Sequence, residues 1–433
     1  MRAKPLSQAE AEGLLAPLAR FSRVALAVSG GPDSFALMRL AASWRAKREA
    51  PALFVLTVDH ALREGSREEA LMVGRAAEAA GLPHAVLTWT HGAVEAGLHA
   101  RARAARYDLM AAYCTAHDIP ALVTAHHLDD QAETFLMRLK RGSGLDGLAA
   151  IPEEGCWAGL TLLRPLLDVP KERLVATAEK AKLPFITDPS NDDARFERGR
   201  MRGATDALLN LGLTPDAVAL SARRLRRARA ALEAAAGEFL ARHGETSAAG
   251  YAVVDLAALL AAPEEIALRG LARLIAMVGA AAEPARLAKL ETLLAALKAD
   301  PDKAHTLGRC RLAPRDGRLL VFREMRKEGL PEVELRPGER MLWDNRFRLE
   351  LGEGASGPII VRALGEEGLR DLKCSEGLPA AVPRLAARTL PACWRGDTLI
   401  CLPDFGQHAL ESAPSSRHER SLDCRAIFLR GAL

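Results

Sequence analysis

The chain has 433 residues, of which 49% are apolar, 26% charged and only 4% aromatic, and its net charge is +4. That length exceeds what one compact core usually holds, so we expect two or three domains. Apolar runs stay below the roughly 20 residues that cross a bilayer, and the charged N-terminus lacks the pattern of a secretory signal. We therefore expect no membrane partner and no export.

The seven cysteines are scattered and form no C-x-x-C pair. An odd, dispersed set favours reduced thiols over a disulfide framework, a zinc site or an iron–sulfur site. A cytoplasmic location is the corresponding prediction.

Up to about residue 200, short strand-like runs rich in Val, Leu and Ala alternate with helical patterns. The strand-like runs cover 24–29, 53–59, 85–89, 122–126 and 160–165. Helical patterns cover 34–47, 66–80, 98–117, 130–140 and 171–182. Such alternation predicts a doubly wound, Rossmann-like parallel α/β domain, whose ligands lie at the carboxyl ends of the strands.

A glycine-rich loop follows the first predicted strand. It consists of Ser29, Gly30, Gly31, Pro32, Asp33 and Ser34. Adjacent glycines let backbone amides converge on an anion at a helix N-terminus, so the loop predicts a nucleotide phosphate site. A carboxylate beside a triphosphate is repelled unless a divalent cation bridges them, so Asp33 predicts Mg²⁺. The alternative is a Gly-Pro turn in which Asp33 or Ser34 only caps the helix.

Polar residues also follow the second and fourth predicted strands. Asp59 and His60 could orient a purine or ribose edge, although Asp59 could equally cap the next turn. The later group comprises His126, His127, Asp129, Asp130 and Glu133. Asp130 and Glu133 share a helix face and also have the form of a capping box. Because H-E-x-x-H is absent, the group favours carboxylates for a cation, an amine or a proton over zinc.

The second half of the chain divides into an arginine-rich helical region and a strand-rich region. Residues 195–230 include nine arginines and only three acidic residues. Val218, Leu225, Leu232 and Phe239 form one helix stripe, with Arg223 and Arg227 opposite. Those arginines contact a polyanion or form a solvated face; both readings stay open. We expect three domains: catalytic 1–214, helical 215–330 and a small α+β domain at 331–433.

The glycine loop resembles the SGGxDS signature of the PP-loop ATP pyrophosphatases. Further motifs narrow the resemblance to the tRNA(Ile)-lysidine synthetase (or synthase) family. They are HHLDDQAET at 126–134, KRGSGLDGL at 140–148, RPLL at 164–167, DPSN at 188–191 and ARAARY at 102–107. Their order and spacing hold from about residue 24 to 202.

The resemblance implies that ATP adenylates the wobble cytidine of CAU-anticodon tRNA(Ile), and that L-lysine then displaces AMP to give lysidine. It further implies that the glycine loop, with Asp59 and His60, holds ATP and that Asp33 holds Mg²⁺. Asp130, Glu133, Arg103 and Arg106 are the candidate catalytic residues. His126, Asp129, Arg198 and Arg202 are candidates for lysine or tRNA binding.

The sequence leaves three other functions and the oligomeric state open. A PP-loop tRNA thiolase would need catalytic or cluster-binding cysteines, and a PP-loop amide synthetase would usually carry a glutaminase domain. An RNA-binding protein with a decayed nucleotide site is the third rival. A homodimer is a further possibility that the residues do not decide.

Overall fold

The structure is a computed structural model. It describes residues 3–46, 50–61, 65–91, 98–186, 200, 203, 205–281, 283–325, 327–374, 382–405 and 423–429. The chain divides into two compact units, Met1–Arg229 and Ala230–Leu433. In the described part of the chain, no helix is both long and apolar enough to cross a membrane.

The first unit is built on a six-stranded sheet. Its strands are β1 (Arg23–Ala27), β2 (Ala52–Asp59), β3 (His84–Thr88), β4 (Ala121–Val123), β5 (Glu154–Trp157) and β6 (Leu160–Leu163). They lie in the order β3-β2-β1-β4-β6-β5, and every neighbouring pair is parallel except β5 and β6. The predicted doubly wound parallel sheet is confirmed.

Helices cover both faces of this sheet. The helices described up to residue 210 are α1 (Gln8–Leu15), α2 (Pro32–Arg45), α3 (Ser66–Ala79), α4 (Leu98–Ala116), α5 (Leu128–Lys140), α6 (Leu145–Leu148), α7 (Lys171–Lys180) and α8 (Thr205–Asn210). Along β1, Val24 and Leu26 belong to one apolar cluster and Ala25 to the other. Strands buried on both faces explain why the sequence shows continuous apolar runs.

The edge strand β5 is a difference from the sequence prediction. It forms a hairpin with β6 through Ala158 and Gly159, which both have positive φ angles of 48° and 82°. The strand has only four residues, which alternate between exposed and half-buried. A pattern this short is too weak to be recognised as a strand in the sequence.

The order of the strands fixes where a ligand can bind. The chain leaves β1 toward β2 on one side, while β4 flanks β1 on the other. The crossover helices after β1 and β4 therefore diverge and leave a crevice at the carboxyl ends of these two strands. The glycine loop follows β1, and the histidine–aspartate segment follows β4.

The long helix α9 (Pro215–His243) begins in the first unit and ends in the second. The remaining helices are α10 (Leu256–Ala261), α11 (Glu264–Gly279), α12 (Leu287–Ala299), α13 (Gly365–Cys374) and α14 (Arg384–Ala387). Strands β7 (Gly244–Ser247), β8 (Tyr251–Asp255), β9 (His305–Leu307), β10 (Cys310–Arg315) and β11 (Arg318–Arg323) form one sheet. Two further sheets contain β12 (Val333–Leu335), β13 (Arg340–Trp343), β14 (Phe347–Leu351), β15 (Ile359–Ala363), β16 (Pro391–Arg395), β17 (Thr398–Cys401) and β18 (Cys424–Phe428).

The second unit differs from the sequence prediction at β7 and β8, two strands that lie in the domain predicted to be helical at 215–330. A turn at 248–250 joins the two strands, and Gly250 has a φ of 74°. One apolar cluster contains both Leu271 and Trp394, so residues of the predicted middle and C-terminal domains share a core. The boundary between those two domains stays a prediction.

Candidate active site

The glycine loop between β1 and α2 leaves room for an anion. Gly30 has a φ of 90°, which L side chains rarely adopt, and Gly31 is the N-cap of α2. A Cβ on Gly31 would have only the Ser29 hydroxyl within 4 Å, at 3.9 Å. Pro32 takes the first helical position, where no amide is needed. The free amides of this helix start and the helix dipole suit a phosphate.

The two serines of the loop bond to the loop itself. The buried Ser34 hydroxyl donates to the carbonyl of Gly31 at 2.9 Å and accepts the Ser29 amide at 3.2 Å. The Ser29 and Ser34 hydroxyl oxygens lie 3.4 Å apart. These bonds hold the loop open before a ligand arrives.

Gly30→Ala tests the cradle. Because the left-handed backbone disfavours a Cβ, we expect the free energy of unfolding to fall by about 1–2 kcal/mol. We also expect the KM for ATP to rise about 10- to 100-fold, because charge-assisted contacts from the loop amides are lost. Gly81→Ala is the matched control, since Gly81 has a φ of 68° and an added Cβ there meets nothing within 4 Å. Equal ATP KM values in both variants would rule out phosphate binding by this turn.

A buried histidine, His127, links the loop to the segment after β4. Its Nε2 lies 3.6 Å from Oδ2 of Asp33 and 3.5 Å from Oδ2 of Asp130, and its Nδ1 lies 3.5 Å from Oδ2 of Asp129. Burial opposes a charged imidazole, but the carboxylates of Asp129, Asp33 and Asp130 outweigh burial and raise the pKa of His127 to about 10. The imidazolium therefore offsets part of the negative charge that three carboxylates concentrate here.

Asp129 and Asp130 also fix the ends of two helices. The Lys171 amide, at the start of α7, donates to Asp129 Oδ2 at 2.9 Å. The His127 amide donates to Asp130 Oδ2 at 3.1 Å, and the capping box of α5 pairs His127 at the N-cap with Asp130. The predicted box of Asp130 with Glu133 is therefore wrong, because α5 begins at Leu128, before Asp130. Glu133 follows Asp130 by one turn on the same helix and is half-buried. Capping and chemistry are compatible, because each carboxylate has a second oxygen.

The neighbouring His126 lies in a positive environment. The pKa of His126 is lowered to about 3, and burial is the largest cause. The charge of Asp130 opposes this shift. The charges of Arg164, Arg103 and Arg106 add to it. The imidazole is therefore neutral, and its Nδ1 lies 2.7 Å from the Thr124 hydroxyl oxygen. Two adjacent histidines thus separate a negative cluster from a positive one, which suits a phosphorylated substrate beside an amine.

The residues after β2 lie on the other side of the loop. Asp59 Oδ1 accepts the Ser66 hydroxyl at 2.7 Å and the Ala61 amide at 2.9 Å, so it caps the following turn. Burial lowers the pKa of His60, and the charge of Arg106 lowers it further. The charge of Arg106 therefore acts both on His60 after β2 and on His126 after β4.

The structure brings most of the predicted residues to one edge of the sheet. Asp33, Asp129 and Asp130 surround His127, and Arg103 and Arg106 act on His126. Arg198 and Arg202 lie outside the described residues. The sequence alone assigns no role to His127, although it lies in a motif that was singled out. The signal that points to it is a second histidine at the end of a buried strand.

The cysteines of the first unit do not support sulfur chemistry. Only Cys114 and Cys156 precede residue 230. Burial raises the pKa of the Cys114 thiol to about 11, which opposes the thiolate that a sulfur-transfer enzyme needs. Cys156 is exposed on the edge strand β5. This favours a ligase over a thiolase.

Three of the clustered arginines on α9 form ion pairs within the first unit. Arg223 lies 3.3 Å from Asp168, Arg226 2.8 Å from Glu153 and Arg229 3.1 Å from Asp146. They recur every three residues and therefore share one helix face. Arg224 and Arg227 are exposed and have no acidic partner among the residues that the structure describes.

The chain is similar to known proteins along most of its length. A family of PP-loop domains matches residues 4–207. A tRNA(Ile)-lysidine synthase from Bradyrhizobium sp. (strain BTAi1) is 46% identical over 303 residues, 67% of this chain and 83% of that protein. One from Methylobacterium nodulans is 50% identical over 63% of this chain and 80% of that protein. One from Ruegeria pomeroyi is 34% identical over 89% of each chain.

These matches extend well past the nucleotide-binding unit, and they agree with the cradle and the paired charge clusters at the β1–β4 crevice. The chain belongs to the tRNA(Ile)-lysidine synthase family of PP-loop ATP-dependent ligases.

Proposed function

We propose that this chain joins L-lysine to the 2-carbon of the wobble cytidine in CAU-anticodon tRNA(Ile), with release of AMP and pyrophosphate. The observation that carries the proposal is the pairing of the open glycine loop with the His127 carboxylate cluster at one crevice. The family membership supplies the substrate class, and a cytoplasmic location follows from a tRNA substrate.

ATP would bind with its β- and γ-phosphates on the amides after β1. The 2-oxygen of cytidine attacks the α-phosphorus and expels pyrophosphate, which leaves an adenylated base. Arg103 and Arg106, beside His126, would stabilise negative charge that develops on the phosphates. Adenylation is needed because the ring oxygen is otherwise a poor leaving group.

Lysine would enter from the carboxylate side. Its ε-ammonium has an ordinary pKa of about 10.4, so it must lose a proton before its nitrogen attacks the 2-carbon. Asp130 and Glu133, on one face of α5, are the proposed amine anchor and base. Attack forms the C–N bond, AMP departs with the 2-oxygen, and lysidine remains.

Asp33 suits a magnesium ion. One of its carboxylate oxygens, Oδ1, is buried without a hydrogen-bond partner in the described part of the chain. Mg²⁺ in nucleotide sites typically uses one or two carboxylates together with substrate phosphates, so a single aspartate is sufficient. Mg²⁺ there would offset the charge of the triphosphate.

Release of AMP tests the proposed function. Purified protein with ATP and Mg²⁺ should form AMP and pyrophosphate, with turnover dependent on both lysine and the CAU-anticodon tRNA(Ile). The same tRNA with U in place of the wobble C is the matched control and should support no turnover. Lysine-independent ATP hydrolysis to ADP would refute the proposal. Light scattering on the same sample would show whether the protein is a homodimer.

Arg224 and Arg227 are the proposed tRNA contacts on α9, in place of the predicted pair Arg223 and Arg227, because Arg223 pairs with Asp168. Each lost phosphate contact lowers the slope of log K against log salt by about 0.7–0.9. We expect the double variant Arg224→Ala with Arg227→Ala to lower the magnitude of the slope by the amount for one or two lost phosphate contacts. Arg223→Ala with Arg226→Ala, which removes already paired charges, should change it less. Equal slopes in both variants would remove this face from the tRNA interface.

A further inference from the structure

Three cysteines of the second unit, none of them among the candidate catalytic residues, lie on strands. Cys393 on β16 is directly opposite Cys401 on the antiparallel neighbour β17. Cys424 lies on β18, which belongs to a different sheet. The thiols of both Cys401 and Cys424 are close enough to raise the pKa of the Cys393 thiol. Cys393 therefore lies near one thiol of its own sheet and one thiol of a different sheet.

We propose that Cys401 and Cys393 form a peroxide-sensitive thiol pair, in which Cys401 is oxidised first and Cys393 resolves it into a cross-strand disulfide. Directly opposite residues of antiparallel strands have Cα atoms about 4.5–5.5 Å apart. A disulfide requires Cα atoms about 4.4–6.8 Å apart. The pairing of Cys393 with Cys401 thus meets the main geometric condition, next to a shift of register between Cys393 and Trp394.

Burial separates the roles of the two thiols. Cys401 is half-buried, whereas Cys393 is fully buried. The hydrogen bond from Cys393 lowers the pKa of the Cys401 thiol, and the same bond raises the pKa of Cys393. Redox-sensitive cysteines are typically low in pKa, accessible, and next to a resolving thiol. Cys401 has these features.

The chemistry balances with hydrogen peroxide as the oxidant. The Cys401 thiolate attacks one peroxide oxygen, the O–O bond breaks, and the other oxygen leaves as water after protonation, giving a sulfenic acid. The Cys393 sulfur then attacks the Cys401 sulfur; its proton and the hydroxyl leave as a second water. Two thiols and one peroxide become one disulfide and two waters. A metal site is the other use of clustered thiols, but among the described residues no three such ligands converge suitably.

Peptide mass mapping of the full-length protein tests the pair. After brief treatment with hydrogen peroxide and alkylation, we expect a Cys393–Cys401 linked peptide that dithiothreitol removes. Cys401→Ser should abolish this product and slow peroxide consumption to the rate of an ordinary thiol. Cys424→Ser should retain the link. Cys156 is the internal control, since it is exposed and its cross-strand partner on β6 is Thr161, and it should gain oxygen without a link.

Two results would overturn the proposal. One is oxidation of Cys156 at a peroxide dose that leaves Cys393 and Cys401 as free thiols. The other is a link that joins Cys424 instead, or sulfinic acid on Cys401 without any link. Because Cys401 is only half-buried, Cys401→Ser should fold, and an unchanged thermal midpoint would show this independently of the redox result.

Discussion

Asp130→Asn is expected to slow lysine incorporation by about 10²- to 10⁴-fold, the usual contribution of a positioned general base. The amide oxygen of asparagine can still accept the His127 amide, so the cap of α5 is kept while the charge is lost. Pyrophosphate release should persist, because adenylation of cytidine precedes the step that needs a base. The defect should therefore appear in the lysine-dependent half of the reaction.

Single-turnover measurements separate the two halves. With tRNA and labelled ATP but no lysine, the variant and the wild type should release pyrophosphate at similar rates. With lysine, the variant should recover part of its rate as the pH rises toward about 10.4, where the substrate amine loses its proton unaided. Asp108→Asn, a carboxylate hydrogen-bonded to Trp157, is the control and should behave as wild type. Full lysine turnover in Asp130→Asn would exclude Asp130 from the mechanism.

Asp344→Asn is expected to lower the free energy of unfolding of the second unit by about 3–5 kcal/mol, because it leaves two buried guanidinium groups without their counter-charge. Arg323 donates to both oxygens of Asp344, at 2.9 and 3.0 Å, and Arg346 Nε donates to Oδ2 at 2.7 Å. Burial lowers the pKa of Arg346 to about 10 even with Asp344 present. One carboxylate thus balances two arginines.

Asparagine isolates the charge at this position. Asp344 has a φ of 48°, a conformation that asparagine tolerates well, so the turn between β13 and β14 should survive. Asp316→Asn is the matched control: Asp316 has a φ of 50° and lies 3.4 Å from Arg315, but its side chain is 89% exposed. Urea unfolding should show little change for Asp316→Asn. An equally small change for Asp344→Asn would mean that water or other groups already compensate the arginines.

The sequence predicts the fold of the first unit well, because its strands are buried on both faces and read as continuous apolar runs. It fails at β5 and at β7 and β8. These strands are four or five residues long with mixed burial, and tight turns rather than helices join β5 to β6 and β7 to β8. Local periodicity cannot show such pairing, since the partner strand supplies the stability.

The candidate site follows a similar pattern. The glycine loop and the aspartates after β4 are recognisable because motifs occur at strand ends. His127 is harder to assign, because its importance comes from Asp33, which is distant in sequence but adjacent across the β1–β4 crevice. The buried Arg323–Asp344–Arg346 group was not predicted at all, since charged residues around a turn normally indicate an exposed loop.

Analysis of the modified nucleoside tests the central claim most directly. CAU-anticodon tRNA(Ile) is incubated with the protein, ATP, Mg²⁺ and lysine and is then digested to nucleosides. The mass of the wobble nucleoside is measured by mass spectrometry. We predict a nucleoside equal to cytidine plus lysine less one water, with one AMP formed for each. An unchanged cytidine, a sulfur-containing nucleoside, or ADP as the product of ATP would contradict the account.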